Sequence, residues 1–201
     1  SFQGTFDGLG HVISGLVIKK PNVGVQALFA SLGRSGVIRN TGLRNIAYDT
    51  NNTGGLVFRN FGVISNSFVD GGYLKAGDNF NNASNFMGGL VGANQGQIID
   101  SYANVNVIMQ DRLGNFSTEA GYSYSAGGLV GINSGSIVNS YASGTVLVSN
   151  RTVTTNGALS PVVYGGGLVG SDIANAATNS SGIRSSYWVA PASDHVATIG
   201  T

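Results

Sequence analysis

A four-residue motif, Gly-Gly-Leu-Val, occurs four times in this chain of 201 residues, beginning at Gly54, Gly88, Gly127 and Gly166. The steps between successive copies are 34, 39 and 39 residues, and the similarity extends well beyond the motif. Residues 94–103 and 133–142 share Asn, Gly, Ile, Ser, Tyr and Ala at the same offsets. A fixed period of this size is typical of repeat architectures, in which each unit stacks on its neighbour. The sequence therefore predicts one stacked domain.

Aligning the copies places apolar residues in columns that predict the interior of the stack. One column is Leu56, Leu90, Leu129 and Leu168, and another is Ile64, Ile98, Ile137 and Ile183. A Val follows every Leu of the first column, although neighbours on a strand face opposite sides. We therefore expect a tight corner at Gly-Gly-Leu-Val, with the glycines supplying positive φ.

Polar and aromatic residues also recur in register. The polar column is Asn40, Asn66, Asp100 and Asn139; a hydroxyl column follows at Thr41, Ser67, Ser101 and Ser140, and an aromatic column at Phe68, Tyr102, Tyr141 and Tyr187. Stacked asparagines can hydrogen-bond through their side-chain amides from one layer to the next. We expect the polar column to form such a ladder at the bends of the stack.

The predicted fold is all-β: a right-handed parallel β-helix (β-solenoid) of about six rungs, with long loops or hairpins projecting from one side. Gly, of which there are 32, and Asn, Ser and Thr disfavour helix, whereas 42% hydrophobic residues and a net charge of +1 argue against disorder. We expect residues 1–201 to be a single domain within a longer exoprotein. Its units would be 1–26, 27–53, 54–87, 88–126, 127–165 and 166–201, with projecting loops at 74–87, 108–126 and 147–165.

The projecting loops are the predicted binding regions, because loops on a rigid scaffold can vary without disturbing its core. Aromatic side chains suit sugar rings and protein hot spots. The candidate ligand-binding residues are Phe116, Tyr122, Tyr124 and Tyr164.

Composition excludes several classes of function. Charged residues are 9% of the chain, too few to attract nucleic acid, and no apolar run approaches the ~20 residues that span a bilayer. The chain has no Cys and only two histidines, His11 and His195, at opposite ends. We therefore expect no metal site, no cofactor, no nucleic-acid partner and no membrane insertion.

A carbohydrate-active enzyme is the catalytic alternative, since glycoside hydrolysis needs two carboxyls ~5–9.5 Å apart. Asp70 and Asp100 are the nearest acids by repeat position, but they occupy different columns, and the residues equivalent to Asp100 are mainly Asn. We expect a chain without catalytic residues.

The unit Gly-Gly-Leu-Val-Gly-x-Asn-x-Gly-x-Ile-x-Asn-Ser-Tyr-Ala, complete from Gly127 to Ala142, resembles the GLUG repeat. The lead-in at residues 2–13, Phe-x-Gly-Thr-Phe-Asp-Gly-x-Gly-His-x-Ile, and the closing Ser186-Tyr187-Trp188 are similar to segments that flank such arrays. GLUG repeats occur in large secreted or surface bacterial proteins, including filamentous-haemagglutinin-like exoproteins of two-partner secretion and the non-catalytic part of some IgA-cleaving metalloproteases.

The resemblance implies an extracellular or cell-surface β-helix segment with a structural or adhesive role. Its implied partners are a host cell-surface protein or glycan, a biofilm matrix polysaccharide and the rest of the parent exoprotein. An accessory domain of a secreted protease remains an alternative to the adhesin, as does the carbohydrate-active enzyme.

Overall fold

The computed structural model describes residues 1–19, 24–76, 84–110, 123–148, 162–173 and 182–189. These residues form 24 β-strands, numbered β1 to β24 in chain order, and contain no helix. All strand pairings among them are parallel. The strands assemble into four sheets, called I to IV in the order in which the chain first enters them.

Sheets I and II lie on the two sides of the bend that contains Asn40, Asn66, Asp100 and Asn139. Sheet I consists of β1 (Thr5–Asp7), β6 (Val37–Arg39), β10 (Val63–Ser65), β14 (Gln97–Ile99), β18 (Ser136–Val138) and β23 (Gly182–Arg184). Sheet II consists of β2 (Val12–Ser14), β7 (Gly42–Asp49), β11 (Phe68–Lys75), β15 (Tyr102–Met109), β19 (Tyr141–Ser143) and β24 (Tyr187–Val189), with β3 (Val17–Lys19) paired to β7 and β20 (Val146–Val148) paired to β15.

Sheets III and IV lie on the two sides of the Gly-Gly-Leu-Val corner. Sheet III consists of β4 (Val25–Gln26), β8 (Asn52–Gly54), β12 (Asn85–Gly88), β16 (Ser123–Gly127) and β21 (Val162–Gly166). Sheet IV consists of β5 (Phe29–Leu32), β9 (Val57–Asn60), β13 (Val91–Asn94), β17 (Val130–Asn133) and β22 (Val169–Asp172).

The chain visits sheets I, II, III and IV in turn and then returns to sheet I, beside the strand formed one repeat earlier. Equivalent residues are therefore paired: Ile64 lies between Ile38 and Ile98, and Ile98 pairs in turn with Ile137. The predicted all-β class and parallel stacking are confirmed, and the arrangement is consistent with a β-helix.

The core is one buried cluster to which all four sheets contribute. Leu56, Leu90, Leu129 and Leu168 are at most 1% exposed, and Ile64, Ile98 and Ile137 are fully buried. Ile183, at the last strand of sheet I, is half-buried and packs against the cluster. The aliphatic columns thus supply much of the apolar burial that stabilises the fold.

Leu56 and Val57 are adjacent, yet both side chains are completely buried. The chain turns at Gly55-Leu56, between β8 and β9, so that both residues face the interior. Layers remain hydrogen-bonded through the corner: Leu56 N–H donates to Leu90 C=O (3.0 Å), and Leu90 N–H to Leu129 C=O (2.9 Å). The expected tight corner is present.

The expectation that these corner glycines have positive φ is wrong. All eight are described, and none has positive φ. They are needed because a Cβ would collide with backbone: at Gly88 it would overlap Val91 O and come within 2.6 Å of Gly131 N in the next layer. The positive φ occurs instead at Asn40, Asn66, Asp100 and Asn139, with values of 47° to 51°. Asn and Asp tolerate this region better than other side chains do.

The tails predicted to be loops contribute strands at both ends. At the start of the first two tails, residues 74–75 belong to β11 and residues 108–109 to β15. The ends of the three tails overlap β12, β16 and β21, respectively. Sheet III was therefore missed, because little of its sequence repeats: only the last glycine of β8, β12, β16 and β21 belongs to the recognised motif. The central parts of the tails, residues 77–83, 111–122 and 149–161, lie outside the described residues.

Candidate functional site

The structure describes two of the four predicted ligand-binding aromatics. Phe116 and Tyr122 lie outside the described residues. Tyr124 is fully buried on β16, so the expectation that it contacts a ligand is wrong. Because β16 is a strand and not a loop, its alternate residues point inward. Tyr164, on β21, pairs with Ser125 and is half-buried.

The aromatic column forms a continuous stack on sheet II. Ring centroids are 5.0 Å apart for Phe68–Tyr102, 5.0 Å for Tyr102–Tyr141 and 5.6 Å for Tyr141–Tyr187, with interplanar angles of 2°, 5° and 10°. The inner rings have both faces occupied by their neighbours, so they offer a ligand only their edges and hydroxyls. Burial raises the pKa of Tyr102 and Tyr141, and the charge of Asp70 adds to both increases.

The acids considered for catalysis hold neighbouring strands together. Asp70 accepts a hydrogen bond from Asn104 Nδ2 (3.0 Å) and lies 3.5 Å from Arg44 Nε. Asp100 accepts a hydrogen bond from Asn139 Nδ2 (3.2 Å). Each carboxylate is therefore engaged by a side chain of an adjacent layer, in different columns.

The predicted polar ladder is bonded at one of its steps, where Asn139 donates to Asp100 as above. Asn40 Nδ2 donates instead to Asp7 Oδ1 (3.0 Å), which lies outside the column because Asp7 pairs with Arg39. The adjoining hydroxyl column is continuous: each Ser Oγ accepts the N–H of the equivalent residue in the preceding layer, at 3.1 to 3.3 Å from Thr41 to Ser186. The residues of this column from Thr41 to Ser140 are buried. Because of these hydrogen bonds, none of the column's buried Ser hydroxyl groups is left without a partner.

A second amide ladder, which the sequence reasoning missed, lies at the ends of the sheet IV strands. Asn60 Nδ2 donates to Asn94 Oδ1 (2.8 Å), Asn94 Nδ2 to Asn133 Oδ1 (2.8 Å) and Asn133 Nδ2 to Asp172 Oδ1 (2.7 Å). The three asparagines are at most 1% exposed. Asp172 terminates the ladder with a charge-assisted hydrogen bond, the stronger kind. The sequence offers one signal for this ladder, because Asn94 and Asn133 occupy the same position in two aligned copies of the repeat.

An open cavity of ≈ 480 Å³ follows the turn from sheet IV to sheet I through five successive copies. It is lined by Arg34, then 61–63, 95–97 and 134–136, and finally by Asp172, Ile173, Gly182 and Arg184. At a layer spacing of ~4.8 Å, four steps give a length of about 19 Å along the stack.

A second cavity of ≈ 410 Å³ adjoins the first on the side of sheet IV, and the two share Phe61, Gln95, Ser134 and Ile173. Its other lining residues include Arg59, Phe86 and Ile132. We call the two cavities together the corner groove; the name refers to the turn between sheets IV and I and not to the Gly-Gly-Leu-Val corner. Its side chains come from the variable positions of the repeat, which explains why column alignment did not identify them.

The corner groove has unpaired polar groups. Arg39 and Arg44 form ion pairs with Asp7 and Asp70. The other three arginines in the part of the chain that the structure describes all line the groove and have no described carboxylate within 4.0 Å: Arg34, Arg59 and Arg184. Arg59 lies over the Phe58 ring, with Cζ 5.3 Å from the ring centroid. The exposed amides of Gln95 and Gln97 likewise form no hydrogen bond with the described residues.

No group of three or more potential metal-binding side chains is found among the residues described. The same residues include no helix that is long and apolar enough to cross a membrane.

Comparison with known proteins finds a family motif in one part of this chain. A search of curated proteins finds no match. The family model of the GLUG motif matches residues 122–147, which run from just before β16 through the Gly-Gly-Leu-Val corner to β20. The chain therefore contains a GLUG-repeat segment, and the repeat recognised from residues 127–142 is the one that the family model matches.

Proposed function

We propose that this chain is a non-catalytic, right-handed β-helix segment of about six rungs from a large secreted or cell-surface bacterial protein. Its role is to hold binding surfaces away from the cell, where they contact a host protein, a host glycan or a matrix polysaccharide. The observation that carries this proposal is the GLUG motif on a framework of stacked parallel strands. The Gly-Gly-Leu-Val part of the motif, which occurs four times, builds the corner between sheets III and IV in those four layers.

Stiffness is what this role requires, and the hydrogen bonding supports it. Four sheets run along the stack, and the corner backbone, the hydroxyl column and the buried amide ladder add further bonds between layers. In repeat proteins each unit is stabilised mainly by its neighbours. Residues at the turns can therefore change to suit a ligand while the buried columns stay constant.

The proposed lack of catalysis rests on the state of the acids. Asp70 and Asp100 are engaged by amides and a guanidinium of neighbouring layers, and Asp172 terminates a buried ladder. The hydrogen bond from Leu9 N–H lowers the pKa of Asp7, and the Asn40 amide and Arg39 lower it further. The lowered pKa of Asp7 favours its carboxylate, whereas a general acid in glycoside hydrolysis needs a raised pKa.

A glycan array combined with a reducing-sugar assay tests the proposal. We expect the purified chain to bind a subset of glycans or host cells and to release no reducing ends. Release of reducing ends that is abolished by Asp70→Asn or Asp100→Asn would overturn the non-catalytic role. Failure to bind any glycan, matrix polysaccharide or host cell surface would overturn the adhesive role.

A further inference from the structure

We propose that the corner groove is a binding site for an acidic polysaccharide, with the polymer lying along the stack. The inference rests on the proposed function, since it names the surface and the ligand class through which the segment would bind. It moves the expected binding site from the projecting loops to the turn between sheets IV and I.

Charge is the first argument. The groove contains three arginines and one acid, Asp172, whose carboxylate already accepts a bond from Asn133. The other charged side chains described balance at four positive and four negative: Lys19, Arg39, Arg44 and Lys75 against Asp7, Asp49, Asp70 and Asp100. The net positive charge of the described side chains is therefore located in the groove. Guanidinium groups that have no carboxylate partner within the protein can form strong, often bidentate bonds with carboxylates and sulfates of a ligand.

The remaining lining suits the uncharged part of a sugar. Gln95 and Gln97 offer exposed amides for sugar hydroxyls. The exposed Ser134 hydroxyl donates to Asn94 C=O (3.4 Å) and can accept a hydrogen bond from a sugar. Phe61 and Phe86, both half-buried, and the exposed Ile173 supply apolar surface for the C–H faces of the rings. Neighbouring polar and apolar groups are what a pyranose, polar at its edge and apolar on its faces, requires.

The shape favours a linear polymer over a small molecule. The groove is open and long, about 19 Å over five layers at ~4.8 Å per step. Arg34 and Arg184 lie in its first and last layers, with Arg59 on the adjoining strand β9. A chain with an acidic group on every sugar, or every second sugar, can contact several layers at once and gain affinity by multivalency.

Nucleic acid is the competing polyanion and is disfavoured. Its affinity depends on neutralising many consecutive phosphates, whereas the groove offers three cations and the whole chain has a net charge of +1. Widely spaced arginines interleaved with neutral amides fit a polymer whose charges are also spaced.

A charge-matched pair of double variants tests the site. Binding of polygalacturonate, heparin, neutral dextran and single-stranded RNA is measured for the purified chain by biolayer interferometry at 50 and 200 mM salt. We expect binding to polygalacturonate or heparin, absent for dextran and weaker for RNA. Arg34→Gln/Arg184→Gln should weaken binding at least about tenfold, equivalent to one 1.4 kcal/mol step. The control Lys19→Gln/Arg44→Gln makes the same change of charge at two exposed positions of sheet II, away from the groove, and should stay within about twofold.

A charge-neutral variant tests occupancy of the groove. Ser134 is exposed in the middle of the groove, so Ser134→Trp should fill it and weaken binding at least about tenfold, whereas Ser143→Trp on sheet II should not. Circular dichroism checks that each variant is folded. If Ser134→Trp does not fold, Ser134→Gln, which fills part of the groove with a smaller polar side chain, replaces it with an expected loss of about threefold.

The outcomes separate the site from the general function. Equal weakening by both double variants, or unchanged binding in Ser134→Trp, would overturn the groove as the site while leaving adhesion intact. Binding of dextran or RNA as tight as that of the acidic glycans would overturn the ligand class. Release of reducing ends from the bound polymer would instead contradict the non-catalytic role, and localisation of binding to the groove would still hold.

Discussion

At the scale of single residues, glycine and asparagine divide two backbone tasks between them. The corner glycines are required for space, because a Cβ at Gly88 or Gly127 would meet the carbonyl of its own corner and the amide of the next layer. The asparagines at the bend between sheets I and II accept positive φ, which most other side chains resist. The sequence pattern located both bends correctly but did not distinguish which residue type solved which problem.

Gly88→Ala tests the close approach at the corner. The added methyl group would overlap Val91 O and lie 2.6 Å from Gly131 N, atoms of backbone that cannot move without breaking bonds between layers. We expect the free energy of unfolding to fall by about 3 kcal/mol, measured by urea denaturation. Gly24→Ala is the matched control, because a Cβ there has nothing within 4 Å, and it should change the stability by less than about 0.5 kcal/mol. A neutral Gly88→Ala would contradict the steric explanation.

At the scale of elements, each sheet is built from equivalent strands, and the layers are joined by columns of identical hydrogen bonds. The ladder from Asn60 to Asp172 is the most buried of these. It lies beside the corner groove and fixes the ends of the sheet IV strands, next to the turns that carry the groove side chains. An amide can serve in the middle because it both donates and accepts, whereas a carboxylate can only accept and therefore suits the end.

Asn94→Leu tests this ladder. The substitution removes the acceptor of Asn60 and the donor to Asn133 inside the protein. Asn60 Nδ2 keeps its bond to Gln97 C=O and Asn133 Oδ1 keeps the bond from Gly135 N–H, so each amide is only partly deprived of partners. We expect the unfolding free energy to fall by about 2 kcal/mol, since each of the two buried hydrogen bonds lost contributes about 1 kcal/mol. Asp172→Asn keeps an acceptor for Asn133 and should cost less than about 1 kcal/mol. Equal stability of Asn94→Leu and the unmodified chain, in the same chemical denaturation experiment, would show that the ladder is not stabilising.

At the scale of the whole molecule, one core runs through the stack and its last layer differs from the rest. The inward column of sheet II passes from Leu43 through Val69, Ala103 and Ala142 to Trp188, whose ring packs over Gly167 and donates from Nε1 to Gly144 C=O (3.4 Å). The large ring covers the small residues below it. At the opposite end Val12, Ile13 and Val17 remain 37% to 55% exposed.

Ile98→Asp tests whether the layers unfold together. Ile98 is fully buried between Ile64 and Ile137 in the middle of sheet I, and a charge placed there has no partner in the surrounding apolar column. We expect a loss of more than about 4 kcal/mol and, by circular dichroism, cooperative unfolding of the entire domain. Gln97→Asp changes an exposed position of the same strand and should be nearly neutral. A native-like Ile98→Asp variant would contradict the stacking register.

The sequence by itself determined the all-β class, the repeat and the pairing of equivalent residues, because parallel layers in register demand identical residue types in each column. Tertiary structure alone decided the rest. Sheet III depends on strands that carry almost no repeated signal, and Tyr124 is buried because its segment is one of those strands. The corner groove is formed by variable side chains that only stacking brings together. Columns are local and periodic, and thus readable from the sequence, whereas a groove depends on where successive turns project in space.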